Sequence, residues 1–214
     1  METIFVSIVS VCTFANLFMK EKILHIASEM FLIIGFKSVT MDDIAKKSGI
    51  SKKTIYAHFN NKTALVGAVT DFLFETVRKG VDLIHKQEQN PIVELFEIKR
   101  FVMKHLKDEK SSPQYQLQKY YPKIYSSLKH KQFDVMQELI KENLEKGIHQ
   151  KLYRPTVDID FIARIYFHGV VGIKDKDLFP LQNYSMKTLM TYYLEYHLRG
   201  ICTKKGIQEL ENQL

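Results

Sequence analysis

The stretch from Thr40 to Lys62, TMDDIAKKSGISKKTIYAHFNNK, constrains the fold of this chain more than any other. Its punctuation predicts two short helices joined by a tight turn. Thr40 stands at an N-cap with Asp43 three residues on, the spacing of a capping box. Met41, Ile44 and Ala45 give the first helix one apolar face. Gly49 ends it, because glycine takes the left-handed backbone of a helix C-terminus at least cost. Ser51 caps the second helix. Ile55 and Phe59, four residues apart, turn inward with Ile50 close by.

The other side of the second helix carries the functional signal. With Ile55 as the inward direction and about 100° per residue, Lys53 and Ala57 point nearly straight out. Thr54 and Tyr56 flank them, and Lys52 sits at the exposed N-terminal end. Such a face suits a DNA major groove: lysines attract phosphate, hydroxyls hydrogen-bond it, and a small alanine admits the backbone closely. An ordinary amphipathic helix pair with a solvated basic face has the same pattern. The local charge separates the two readings. Residues 20–62 hold eight lysines (20, 22, 37, 46, 47, 52, 53 and 62) against Glu21, Glu29, Asp42 and Asp43, which leaves +4 of the chain's +7 in a fifth of its length.

Residues 20–66 resemble the DNA-binding domain of the TetR family of bacterial transcriptional regulators. The first-helix residues Ile23, Ala27, Phe31, Gly35 and Phe36 carry the resemblance, followed by Thr40, Ile44, Ala45, Gly49, Ile50, Ser51, Thr54, Ile55, Tyr56, His58, Phe59, Lys62 and Leu65. The resemblance implies an all-α fold, with a three-helix helix-turn-helix domain at the N-terminus and a helical effector-binding and dimerisation domain behind it. The expected division is an apolar extension over 1–18, the DNA-binding domain over 19–66 and the second domain over 67–214. On this reading Lys52, Lys53, Thr54 and Ala57 face base edges. Thr40, Tyr56, His58 and Lys62 hold phosphates or fix the pose of the reader, with Ser51 at its entry.

Composition sets only loose bounds. At 214 residues with 45% apolar content, the chain has enough length and apolar surface for a packed core. Cys12 and Cys202 supply neither a disulfide framework nor metal-ligand spacing, which fits a reducing cytoplasm. The basic pI of about 9.2 admits nucleic acid or an anionic membrane surface as partner. Residues 1–18 are apolar and uncharged after Glu2. They fall short of the roughly 20 residues of a membrane span and lack the positive start of a secretory signal. Three readings compete: an ordered extension that lengthens the first helix backward, a weak export or anchor segment, or translation from upstream of the true start. Met19-Lys20, where a chain of the resembled family would begin, favours the last.

Helical periodicity continues beyond the basic hairpin. Ile23, Ile26, Ala27, Met30, Phe31 and Ile34 form a stripe that stops at Gly35, and a long helix follows from about Lys62 to Lys86, capped by Asn60 or Asn61. Further helices are expected over 91–107, 114–120 and 122–153, with a loop at 108–113 and a stop at Arg154-Pro155. The segment 156–173 is apolar nearly all round, which requires cover on both sides. After a loop at 174–184, a second aromatic-rich helix spans about 185–200, and the tail 203–214 frays or adds a short helix. No strand pattern or repeat stands out.

Two such apolar helices near the C-terminus suggest a subunit interface built as a four-helix bundle from two chains. Ile162, Tyr166, Gly169, Val170, Ile173, Leu189, Tyr193 and His197 would form it. Burial within one chain is the alternative, and the resemblance implies the dimer. Phe72, Phe96, Phe101, Met103, Tyr121, Tyr125, Phe133, Met136, Tyr166 and His168 make an aromatic and methionine-rich set that suits an apolar pocket. That such a pocket takes a small apolar or amphipathic effector is what the resemblance implies.

Enzyme signatures are missing from the sequence: there is no Gly-rich phosphate loop, nucleophile elbow or HExxH. His130/Asp134 and Glu145/His149 have a spacing that a metal can use on a helix face, but surface ion pairs explain it better. No cofactor is expected. The sequence thus reads as a regulator acting on a double-stranded DNA operator as a homodimer, in the bacterial cytoplasm at the nucleoid, under control of a small molecule. Two alternatives remain: a ligand-independent architectural or cell-division factor, and a membrane-attached helical protein held by residues 1–18.

Overall fold

Ten helices make up the regular structure of the described residues, 2–105, 113–175, 177–180 and 182–214, in a computed structural model whose side chains are described from residue 16 onward. They are α1 (Glu2–Ile34), α2 (Met41–Ser48), α3 (Lys52–His58), α4 (Lys62–His85), α5 (Pro91–His105), α6 (Pro113–Tyr120), α7 (Pro122–His149), α8 (Ile159–Gly172), α9 (Met186–Ile201) and α10 (Lys204–Glu211). No strand occurs among these residues, only an isolated bridge between Tyr153 and Cys202. Residues 2–18 continue the first helix without a break. The expected loop at 108–113 lies outside the described residues except for Pro113, which opens α6. No helix of the described residues is long and apolar enough to cross a membrane.

The chain divides into two compact units, Met1–Leu73 with Lys110–Ile124 and Phe74–Glu109 with Tyr125–Leu214. In the first, α1, α2, α3 and the start of α4 bury Ile23, Phe31, Phe36, Ile44, Ile55 and Leu65. Leu24 and Leu32 join that core, whereas Ile34 is exposed and so falls outside the expected α1 stripe. Gly35 ends α1 at φ 99°, and its N–H donates to the Phe31 carbonyl. The Gln116 side chain of α6 occupies the space a Cβ on Gly35 would need. Gln116 Oε1 accepts the Lys37 N–H at 3.1 Å, and the Tyr121 ring meets Phe36 edge-on at 6.3 Å. A helix some 80 residues downstream is thereby stitched onto the turn between α1 and α2.

The second unit has its own core, with Ile92, Phe96, Ile140, Leu144, Leu194 and Leu198 among its buried members. Polar groups lock its corners. Asn143 donates to the Pro91 carbonyl at 2.9 Å and accepts from the Tyr153 hydroxyl at 3.1 Å. Tyr153 is fully buried and packs over Gly147, so α7 stops at His149 rather than near 153, and Lys151 takes a left-handed turn at φ 60°. The Tyr193 hydroxyl of α9 donates to the carbonyls of Ile165 and Tyr166 on α8, both at 3.0 Å, and its ring fills the space beside Gly169. In the last turn of α4, His85 meets Glu94 of α5 at 3.2 Å and Glu142 of α7 at 2.9 Å.

His197 is buried between the rings of Tyr166 and Tyr193, and that burial pushes its imidazole down to about 4. A base depressed in the folded state is protonated first in the unfolded chain, so stability is full above about 6.5 and falls as pH drops toward 4. From pH 7 to pH 5 this residue alone is expected to remove about 2 kcal/mol of stability. Urea denaturation of wild type and His197→Phe at the two pH values checks it: the variant should lose less on acidification, and an equal loss contradicts the assignment.

Candidate nucleic-acid interface

The reader is built by two helix caps and a left-handed glycine. Thr40, in an extended conformation, accepts the Asp43 N–H, while its own N–H and hydroxyl donate to the Asp43 carboxylate at 2.9 and 2.7 Å. Those hydrogen bonds hold the Asp43 carboxyl below the usual carboxylate range. Gly49, at φ 66°, closes α2 with its N–H on the carbonyls of Ala45 and Lys46. Ser51 then caps α3 by accepting the Thr54 N–H at 3.0 Å, and its hydroxyl also meets the Thr54 hydroxyl. Asn61 caps α4 through the Ala64 N–H at 2.8 Å.

On α3 the faces separate cleanly. Ile55 is fully buried and Phe59, just past the helix, is 4% exposed. Lys53, Tyr56 and Ala57 are exposed, Thr54 and His58 are half-buried, and Lys52 is exposed at the start. Around them Lys20, Lys22, Lys37, Lys46 and Lys47 are exposed as well, so the first unit presents a cationic surface. No carboxylate among the described residues pairs with Lys53.

Other candidates are engaged by the protein itself. Thr40 is committed to its capping box. Lys52 donates to Asp42 at 2.8 Å, a bond that raises its affinity for its proton. Lys62 is half-buried and donates to the Lys37 carbonyl at 3.2 Å, and desolvation lowers its pKa. The Lys62 ammonium therefore ties α4 to the turn that α6 also holds, a bracing role that sequence reasoning missed. Asp42 was missed too. Its ten-residue separation from Lys52 gave no periodic signal.

The residues expected to line one pocket are dispersed. Phe72 meets His25 edge-on and Tyr121 meets Phe36 likewise, both within the first unit. In the second unit Phe96, Met136 and Tyr166 belong to the main core, Met103 packs on a satellite cluster, Phe101 stacks on His105, and Phe133 meets Phe167. Tyr125 is half-buried. His168 is exposed, because it falls on the same outer face of α8 as Phe161 and Ile165.

The residues expected at a subunit interface are taken up largely inside the chain. Tyr166, Ile173, Leu189 and His197 are buried, and Ile162, Gly169, Val170 and Tyr193 are half-buried, packed between α8 and α9 of the same chain. The apolar side chains left on the outside are Phe161 and Ile165 of α8, 58% and 42% exposed, and Tyr192 and Tyr196 of α9, 62% and 78% exposed. A helix apolar all round gives no sequence clue as to which side faces its own chain. Among the described residues no cluster of three or more His, Cys, Asp or Glu could hold a metal ion.

Residues 23–69 match the family of bacterial regulatory proteins, tetR family. Over 198 residues, 87% of this chain and 92% of its relative, the chain is 25% identical to the HTH-type transcriptional repressor KstR2 of Mycolicibacterium smegmatis. It is 40% identical to the HTH-type transcriptional regulator TtgR of Pseudomonas putida over 57 residues, 27% of each chain. A solved TetR-family regulator from Agrobacterium tumefaciens superposes with a TM-score of 0.69 over 88% of this chain and all of that one, at 17% identity. At that identity the likeness carries the fold.

Two kinds of lysine should separate experimentally. Lys53→Ala is expected to weaken binding to the preferred duplex about tenfold or more with the melting temperature unchanged. Lys62→Ala should lower the melting temperature by about 2–4 °C as well, since it loses an internal hydrogen bond. Matching melting temperatures would contradict the bracing role. Asp42→Asn frees Lys52 and removes a negative charge, so affinity for random-sequence duplex DNA should rise and its salt dependence steepen by about one unit of slope. Fluorescence anisotropy across a salt series reads both, and unchanged binding would contradict the pairing.

Proposed function

We propose that this chain, which belongs to the TetR family of bacterial transcriptional regulators, acts as a small-molecule-responsive repressor that binds a palindromic operator as a homodimer. It is a DNA-binding regulator rather than an enzyme, as are the proteins it matches. The observation that carries the finer reading is the split of α3: Ile55 is buried while Lys53, Tyr56 and Ala57 are open. In the proposed complex α3 lies in the major groove, with Lys53, Ala57 and Thr54 toward base edges, and with Tyr56 and the surrounding lysines toward phosphates. Lys52 joins them when Asp42 releases it.

The dimer reading rests on Phe161, Ile165, Tyr192 and Tyr196. Exposed apolar side chains on two C-terminal helices that pack on each other suit contact with a second copy of the same chain. Two readers related by a twofold axis then call for two half-sites spaced by about one helical turn or a multiple of it. The regulator works at the nucleoid in the cytoplasm, where its DNA target lies.

The proposed control by a small molecule is assigned to the second unit. α4 begins beside the reader at Lys62 and ends at His85, between Glu94 and Glu142. An effector that binds more tightly to a state with a different setting of α4 would lower operator affinity by that difference in affinity.

Selection of bound duplexes from a random pool by the full-length protein tests the central reading. A twofold-symmetric consensus is expected, and enrichment of a single asymmetric site or of nothing would contradict it. Tyr192→Asp combined with Tyr196→Asp should convert a dimer into a monomer in sedimentation equilibrium and weaken operator binding by at least about tenfold, because the second half-site is no longer linked. A dimer that persists in the double variant would place the interface elsewhere.

A further inference from the structure

Gln137 is a polar side chain that the packing of the second unit leaves unused. It lies on α7, is 8% exposed, and neither its amide nitrogen nor its amide oxygen has a hydrogen-bond partner among the described residues. Asn143 and Glu94, also buried in that unit, each keep at least one partner. Asn143 donates to the Pro91 carbonyl and accepts from Tyr153, and Glu94 keeps one oxygen on His85. A primary amide offers two N–H donors and an oxygen with two lone pairs. Burying it without partners is costly, and folded proteins seldom keep such a group unless something uses it.

Contacts on either side fix where the amide points. Phe133, one turn earlier on α7, meets Phe167 of α8 edge-on at 5.2 Å. Lys141, one turn later, pairs with Asp160 of α8. Residues 133, 137 and 141 share a stripe, so Gln137 faces the stretch of α8 between those contacts, which includes the buried Ala163. Asp160 is held by both Lys141 and Arg164, two cations on one carboxylate, and the Arg164 guanidinium also lies over the Phe133 ring, 5.6 Å from its centre. The amide therefore faces aromatic and apolar side chains, with the Lys141–Asp160–Arg164 group at one end.

Resting on the reading of the second unit as an effector-binding domain, we infer that Gln137 is the hydrogen-bonding handle for an aromatic effector that carries an amide or an equivalent adjacent carbonyl and N–H or O–H. The Gln137 N–H donates to the effector's carbonyl, and the Gln137 carbonyl accepts from its donor. The effector's ring rests against Phe133 and Phe167. A carboxylate matches the amide less well, since it offers only acceptors and leaves Gln137 Oε1 without a donor.

Three probes of similar shape test this on the full chain by isothermal titration: 2-naphthamide, the hydrocarbon 2-isopropylnaphthalene and the anion 2-naphthoate. Wild type should prefer the amide over the other two by at least about tenfold, as expected for a paired buried hydrogen bond. In Gln137→Leu that preference should vanish while hydrocarbon affinity holds or improves. Free of any probe, Gln137→Leu should melt about 2–6 °C above wild type, because an unpaired buried amide is gone. Equal affinity of wild type for amide and hydrocarbon, tighter binding of naphthoate, or no amide binding overturns the inference. A folded Gln137→Leu that melts below wild type overturns it too, since the amide would then be paired in the free protein. Hydrocarbon binding without amide preference removes the handle and leaves the effector-binding reading intact. Operator affinity unmoved by any bound probe counts against that reading instead.

Discussion

Ile55 and Phe59 sit one turn apart at the end of the basic hairpin, and both are withdrawn from water. Full burial of such side chains is worth about 1.5–3 kcal/mol each, far more than any single exposed lysine contributes to folding. They therefore dictate the rotation of α3 about its axis. Once Ile55 points into the core, helical geometry obliges Lys53, Tyr56 and Ala57 to point out. The caps at Thr40 and Ser51 and the left-handed Gly49 fix how α3 leaves α2. The exposed face of α3 thus arises as the complement of a hydrophobic constraint, with few specific interactions of its own. Lys52 is the exception, since its ammonium is held by Asp42.

The turn between α1 and α2 is the second point on which the first unit depends. Gly35, Phe36 and Lys37 receive Gln116, Tyr121 and Lys62, which come from α6, the residue after α6, and α4. Each contact is modest, a net 1 kcal/mol or so for an uncharged hydrogen bond. Together they attach segments from distant parts of the sequence to the reader. α4 leaves this unit at Leu73, and its last turn lies in the other unit, where His85 is set between two carboxylates. α4, the first of the chain's crossings between the units, thus has a defined polar attachment at each end.

How much of this was legible in the sequence differs by region. The hairpin was readable almost residue by residue, because caps, a C-terminal glycine and an i,i+4 apolar pair are local signals. The long helices were visible in number and order, and their ends were displaced where tertiary contacts decide. α7 stops at His149 because Tyr153 must fold back over Gly147. The outer and inner faces of α8 were not readable, since Ile162, Ile165, Tyr166 and Val170 are all apolar and periodicity cannot rank them. Of the expected interface residues, Tyr166, Ile173, Leu189 and His197 are buried within the chain and the other four are half-buried, while Phe161, Ile165, Tyr192 and Tyr196 are exposed. The role of Lys62 and the unpaired amide of Gln137 depend on partners from elsewhere in the chain, or on their lack, and no sequence spacing encodes that.

The most direct measurement is photocrosslinking from position 53. Lys53 is replaced by a benzophenone side chain in the full-length protein, with the exposed Lys79 of α4 replaced likewise as a control, and the products on duplex DNA are mapped by sequencing. Adducts from position 53 on bases within each half of a symmetric site, with none from position 79, are expected if α3 occupies the major groove. Adducts from position 79 alone, or none from position 53 under conditions where the protein binds DNA, would contradict the assignment of α3 as the reader.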